Sequence, residues 1–97
     1  VLLPYTAAYN RSAVQMSFAA RVLDVDDAPT AILSLSRKLG TPLTLGAIGM
    51  AESDLDRAAD LAVERPYPNP VPVTRDGVRA LLEAAFAGDE GYVTRLT

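Results

Sequence analysis

Any side-chain chemistry in these 97 residues has to work without histidine and without cysteine, since the chain contains neither. That removes imidazole and thiolate metal ligands, disulfides, and the usual acid–base group of neutral pH. What remains are carboxylates, hydroxyls, Lys38 and a few arginines. Asp24, Asp26 and Asp27 stand three acids in four positions, as in a calcium loop. Such a loop needs glycine at its sixth position, and this chain has Pro29 there. The cluster reads instead as an acidic helix N-cap with Pro29 in the first turn. Ser34 and Ser36 have no base within their pattern and read as surface hydroxyls. Gly46-Ala47-Ile48-Gly49 is a lone G-x-x-G, whereas a phosphate cradle wants a glycine-rich loop between a strand and a helix. Asp56, Asp60 and Glu64 are spaced as a carboxylate ladder along one helix face. With no other ligand type available, they read as a solvated stripe tempered by Arg57.

These groups need a scaffold, and composition says which kind. Apolar residues make up 49% of the chain, charged residues 22%, and the formal net charge is −3. That balance describes a soluble, cytoplasmic globule rather than a disordered segment. Nine Lys plus Arg scattered along the chain form no basic stripe, which argues against nucleic acid. No apolar run approaches the ~20 residues of a membrane span. The opening Val1-Leu2-Leu3 lacks the basic start and small-residue cleavage site of a signal peptide. So abrupt an apolar start reads as the middle of a buried helix, and the chain is expected to be the C-terminal piece of something longer.

Periodicity predicts helices throughout. Residues 1–9 are apolar nearly all round, as in a helix buried on most faces; Asn10 stops it and Ser12 caps the next. In residues 13–23, Val14, Phe18 and Val22 repeat at i, i+4, i+8, widened by Met16, Ala19, Ala20 and Leu23 into a core-facing stripe. Ala28, Ile32, Leu35 and Leu39 mark the face of a third helix, closed by Gly40. Residues 41–50 form a short connection with Leu43, Leu45 and Ile48 packed under a turn. Ser53 caps a helix whose core face is Leu55, Ala58, Ala59 and Ala62. Thr74 caps another with Val78, Leu81, Leu82, Ala85 and Phe86 inward and Gly88 at its end. Gly77, mildly unfavourable in a first turn, hints at close packing or at simple drift. Between these last two helices, RPYPNPVPV (65–73) carries four prolines in seven positions. Proline has no N–H and a fixed φ, so this stretch can only be an extended strap over the surface. Residues 89–97 read as a short frayed tail. The sum is an all-α small helical bundle of four or five helices.

Two stretches, LPYTAAYN (3–10) and LDRAADLAVERPYPNPVPVTRDGVRALLEAAFAG (55–88), carry a family resemblance, and LSRKLGTPLTLGAIGM (35–50) agrees with it. Together they resemble the C-terminal helical domain of the iron-containing alcohol dehydrogenase superfamily, and within it the maleylacetate reductases. The resemblance covers nearly the whole chain, and its PYPNPVPVTRDGVRALL portion is the specific part.

That resemblance implies a dehydroquinate synthase-like helical domain over residues 1–88, incomplete at its N-terminal end, with residues 89–97 as a tail. Its partner would be an N-terminal nucleotide-binding α/β domain, with catalysis in the cleft between the two. The implied reaction is NAD(P)H-dependent reduction of maleylacetate to 3-oxoadipate in the breakdown of aromatic compounds, with iron or zinc in some relatives. The family's histidines and dinucleotide-binding glycines lie upstream of LPYTAAYN, so no catalytic, metal or cofactor-binding residue transfers to a position here. The piece is expected to be inactive and to carry no cofactor alone. Many relatives have histidine directly after Leu-Pro, where this chain has Tyr5. In related dehydrogenases the segment leading to the Asn-Pro motif borders the cleft, which makes Arg65, Tyr67 and Asn69 the candidate cleft residues. Arg65 would then face a substrate carboxylate through its planar fork. The alternative is that Tyr67 and Asn69 only pin the strap by packing and turn hydrogen bonds. A homo-oligomer through the apolar first helix is also expected. Two other readings compete: another iron-containing alcohol or hydroxyacid dehydrogenase, and a stand-alone helical interaction module. The latter would show a large exposed apolar patch.

Overall fold

A computed structural model describes residues 1–65 and 68–95. In order they form α1 (Leu2–Tyr9), α2 (Val14–Leu23), α3 (Ala28–Leu39), 3₁₀ turns at Gly46–Ile48 and Glu52–Asp54, α4 (Leu55–Glu64), α5 (Arg75–Ala87) and α6 (Glu90–Thr94). No strand occurs among the described residues.

α1 runs through the middle, packed on α3, α5 and α6. Pro4 falls in its first turn, where a missing N–H costs no helical bond. Pro4, Tyr5 and Ala7 face the core, while Leu2 and Leu3 remain exposed. α4 and α5 are the main antiparallel pair, meeting through the faces that periodicity predicts. Leu55 is buried, as are Leu81 and Leu82, and Ala59 and Ala85 have no exposed surface at all. Burying leucines of this kind stabilises by about 1.5–3 kcal/mol each.

The helix ends show why the chain breaks where it does. Asp27 caps α3, accepting from the Thr30 N–H at 3.2 Å with Pro29 in the first turn, as the acidic cluster predicts. Gly40 ends α3 at φ +70° and Gly88 ends α5 at φ +72°, the left-handed conformation glycine adopts without strain. Thr74 Oγ1 accepts from Gly77 N–H at 3.1 Å.

Several sequence expectations need correction. α2 starts after Ala13, so Ser12 is not its cap. Ser53 lies inside a 3₁₀ turn, and Asp54 closes that turn by accepting from Ala51 N–H at 3.3 Å. In α3 the deeply buried residues are Ala28, Pro29 and Leu33, while Leu35 and Leu39 point to solvent. Of the 41–50 connection Leu45 is buried, its N–H bonded to Ala85 O at 3.1 Å, but Ile48 is exposed. α2 differs most. Its Val14, Phe18 and Val22 are 74%, 63% and 70% exposed, and the helix has no fully buried residue. It rests on α3 through the opposite side, where Met16, Ala19 and Ala20 are half-buried. Both sides of α2 are apolar, and spacing alone picks the larger residues. Residues 90–94, expected to fray, form α6 and place Val93 in the core with no exposed surface.

Candidate functional site

The strap lies across the bundle because two residues at the end of α1 hold it. Tyr9 donates its hydroxyl to Pro72 O at 2.6 Å and accepts from Thr74 N–H at 3.4 Å. Asn10, the one buried polar residue among those described, faces Asn69. Asn10 Nδ2 donates to Asn69 Oδ1 at 3.0 Å, and Asn69 Nδ2 donates back to Asn10 Oδ1 at 2.7 Å. The second Asn69 donor reaches Val71 O at 2.6 Å, closing a local turn. Such an amide pair gives each side chain a donor and an acceptor in one plane, which suits a segment whose prolines supply no N–H. LPYTAAYN (3–10) and PNPVPV (68–73), 59 residues apart at their asparagines, are therefore one structural unit.

Beside this unit is a small cleft of ≈ 410 Å³ formed by Leu61, Ala62, Arg65, Pro68, Asn69 and Val73. Across Ala62, Asn69 and Val73 lies a second, apolar groove of ≈ 270 Å³, walled by Tyr9, Val78 and Leu82 among others. Arg65 follows the last turn of α4 and is exposed; among the described residues it has no ion-pair partner. Asn69 differs, because its amide is engaged by Asn10 and Val71. So the structure brings Arg65 and Asn69 to one cleft with different parts: a cation with open donors and a pin. Tyr67 lies outside the described residues.

Sequence reasoning read Asn10 only as the stop of the first helix, where it stands, and named neither Tyr9 nor Asn10 as an anchor of the strap. The available signal was two polar groups ending an otherwise apolar helix, which must find partners when buried.

Elsewhere the charged groups are structural. Arg11 bonds both Asp27 oxygens at 3.0 Å from Nε and Nη2, and also donates to Val93 O and Arg95 O. It thereby ties the end of α1 to the start of α3 and to α6. Burial pushes the Asp27 carboxyl up, but hydrogen bonds from Arg11 and Thr30 with the Arg11 charge outweigh it, and the net shift is downward. The Asp56 and Asp60 ladder is countered by α5 rather than by Arg57: Arg79 reaches Asp56 at 2.8 Å and Arg75 reaches Asp60 at 2.6 Å. Ser36 Oγ donates to Ile32 O at 3.0 Å, and Ser34 is exposed on α3. Among the described residues no group of three or more acids could hold a metal ion, and GAIG forms a 3₁₀ turn. No described helix is long and apolar enough to cross a membrane.

The described residues define an all-helical domain whose proline strap is pinned to its first helix, with Arg65 at the cleft beside it. Residues 1–86 match the Fe-containing alcohol dehydrogenase family, C-terminal, and the chain belongs to that family. Maleylacetate reductase of Burkholderia cepacia is 44% identical over 90 residues, and maleylacetate reductase 1 of Rhodococcus opacus is 43% identical over 91. The matches take in 91% and 92% of this chain and 26% of each relative. The crystal structure of maleylacetate reductase from Rhizobium sp. strain MTP-10005 superposes with a TM-score of 0.81 at 43% identity, over 91% of this chain and 25% of that one. The chain thus spans about a quarter of the length of the relatives it matches.

Proposed function

We propose that this chain is the helical domain of an NAD(P)H-dependent, cytoplasmic oxidoreductase of the maleylacetate reductase type, acting in aromatic-compound breakdown. The observation that carries the reading is 43–44% identity to maleylacetate reductases across nine-tenths of the chain, with the same fold at a TM-score of 0.81. The reaction is hydride addition to the carbon–carbon double bond of maleylacetate and protonation of the neighbouring carbon, giving 3-oxoadipate. No metal or dinucleotide site is assigned to this chain, which has no histidine or cysteine and whose G-x-x-G stretches, 46–49 and 88–91, follow no strand among the described residues.

What the chain offers is on the substrate side. Maleylacetate is a dicarboxylate, and Arg65 presents a guanidinium fork at a cleft whose other walls, Asn69 apart, are apolar. The Asn10–Asn69 pair holds the far wall fixed, so the cation keeps its position relative to the strap.

The test is maleylacetate-dependent oxidation of NADH and of NADPH by the full-length protein, with and without added iron or zinc. Arg65→Met should raise KM roughly 10- to 100-fold with a smaller change in kcat, the loss of a charge-assisted pair made to the substrate throughout. An unchanged KM would remove Arg65 from the site. Turnover of alcohols or hydroxyacids in place of maleylacetate would move the protein to another branch of the family.

A further inference from the structure

α2 is the least integrated helix of the bundle. Its inner side, Met16, Ala19 and Ala20, leans on α3. Its outer side carries Val14, Phe18 and Val22, three large apolar residues in an i, i+4, i+8 row with most of their surface in water. Arg21 stacks on the Phe18 ring with its guanidinium carbon 5.9 Å from the centroid, which covers one edge of the row and leaves the rest open. A row at this spacing is a helix-packing ridge of the commonest kind, made to fit the groove of a second helix. Scattered exposed apolar residues need no explanation, but a continuous ridge on one helix does.

We propose that this ridge seats a helix of the same polypeptide, from the part of the longer protein outside these 97 residues. The inference rests on the reading above that the chain is one domain of a longer enzyme. Two observations select this occupant. Nearly three quarters of each matched relative lies outside the match, so there is ample attached chain to cover the ridge. The ridge is also small. It is three large residues on a ten-residue helix, whereas a stable contact between separate chains takes about 20–30 residues a side. Covalent attachment turns docking into an intramolecular step with a high effective concentration, and a single-helix contact then suffices.

The experiment is hydroxyl-radical footprinting of the full-length protein, reading side-chain oxidation of Phe18 against buried Tyr5. The native rate is compared with that of the urea-unfolded chain, at concentrations above and below dissociation of any oligomer. The expected result is loss of Phe18 reactivity to the level of Tyr5, unchanged on dilution. Phe18 oxidised as fast as in the unfolded chain would overturn the proposal. Protection that disappears on dilution would overturn it too, because the occupant would then be a second copy. The readout needs no substrate, so it stands or falls separately from the maleylacetate assay.

Discussion

Tyr5 has almost no exposed surface, and its hydroxyl has no hydrogen-bond partner among the described residues. Burial pushes the phenol pKa up, with the charges of Glu90 and Asp89 adding to it, so the group stays neutral. A buried hydroxyl without a partner forfeits its bonds to water and gains nothing in return. Tyr5→Phe removes the oxygen and keeps the ring against Tyr92, whose centroid is 6.0 Å away. The expected change in unfolding free energy is therefore between zero and about 1 kcal/mol of stabilisation. A urea titration of the full-length protein reads it, and a loss above about 1 kcal/mol would show the hydroxyl to be bonded after all. Gly77 is the opposite case. A Cβ there would stand 2.8 Å from Thr74 Oγ1 and 2.9 Å from the Tyr9 ring and hydroxyl. Alanine gains at most about 1 kcal/mol of helix propensity. Against that it overpacks the contact, disturbs the Thr74 cap and pushes Tyr9 off Pro72, so Gly77→Ala should cost about 1–3 kcal/mol net. A stabilised variant in the same titration would mean that Tyr9 moves aside freely.

At the level of helices, much of the architecture was legible because it depends on local rules. The faces of α4 and α5, the Asp27 and Thr74 caps and the two closing glycines all follow from spacing and capping chemistry. The docking of α6 did not, since a five-residue helix has no periodicity to read. Its place is set by Val93 in the core and by Arg11 gripping the Val93 and Arg95 carbonyls from 82 and 84 residues away. The same arginine lowers the Asp27 carboxyl. A carboxylate whose pKa is depressed in the folded state adds stability above its unfolded range, about pH 4, and loses it as pH falls through the folded value. Asp56 is also lowered, first by its hydrogen bond from Arg79, but it is fully exposed and screened by salt. Measured in high salt, the urea midpoint should therefore hold from neutral pH to about 5 and fall below about 4. Arg11→Met should give a less stable protein with a shallower acid limb. An equally steep limb in that variant would show that Asp27 does not set it.

The site and the remaining faces were legible only in part, for a reason that concerns the whole molecule. Family likeness makes Arg65 and Asn69 candidates for an interdomain cleft; in the structure both line one small local cleft, and the bonding of Asn69 to Asn10 is a pairing that no spacing rule encodes. In α2 and α3 the rule selects Val14, Phe18, Val22, Leu35 and Leu39, all of which stand exposed in these 97 residues. Hydrophobic periodicity records what a residue is buried against in the complete protein, and this chain is about a quarter of its relatives' length. On the proposal above, Val14, Phe18 and Val22 form a core face whose partner lies elsewhere in the polypeptide. Phe18 is the sharpest place to ask. An exposed phenylalanine changed to alanine shifts stability by no more than about 0.5 kcal/mol, whereas a buried one costs about 3–5 kcal/mol. In the full-length protein Phe18→Ala should fall in the second range, with Leu55→Ala, buried already within this chain, at about 2–5 kcal/mol as the internal standard. If Phe18→Ala stays within the surface range while Leu55→Ala is costly, the ridge of α2 faces water in the whole enzyme. The sequence pattern would then have misread both sides of that helix.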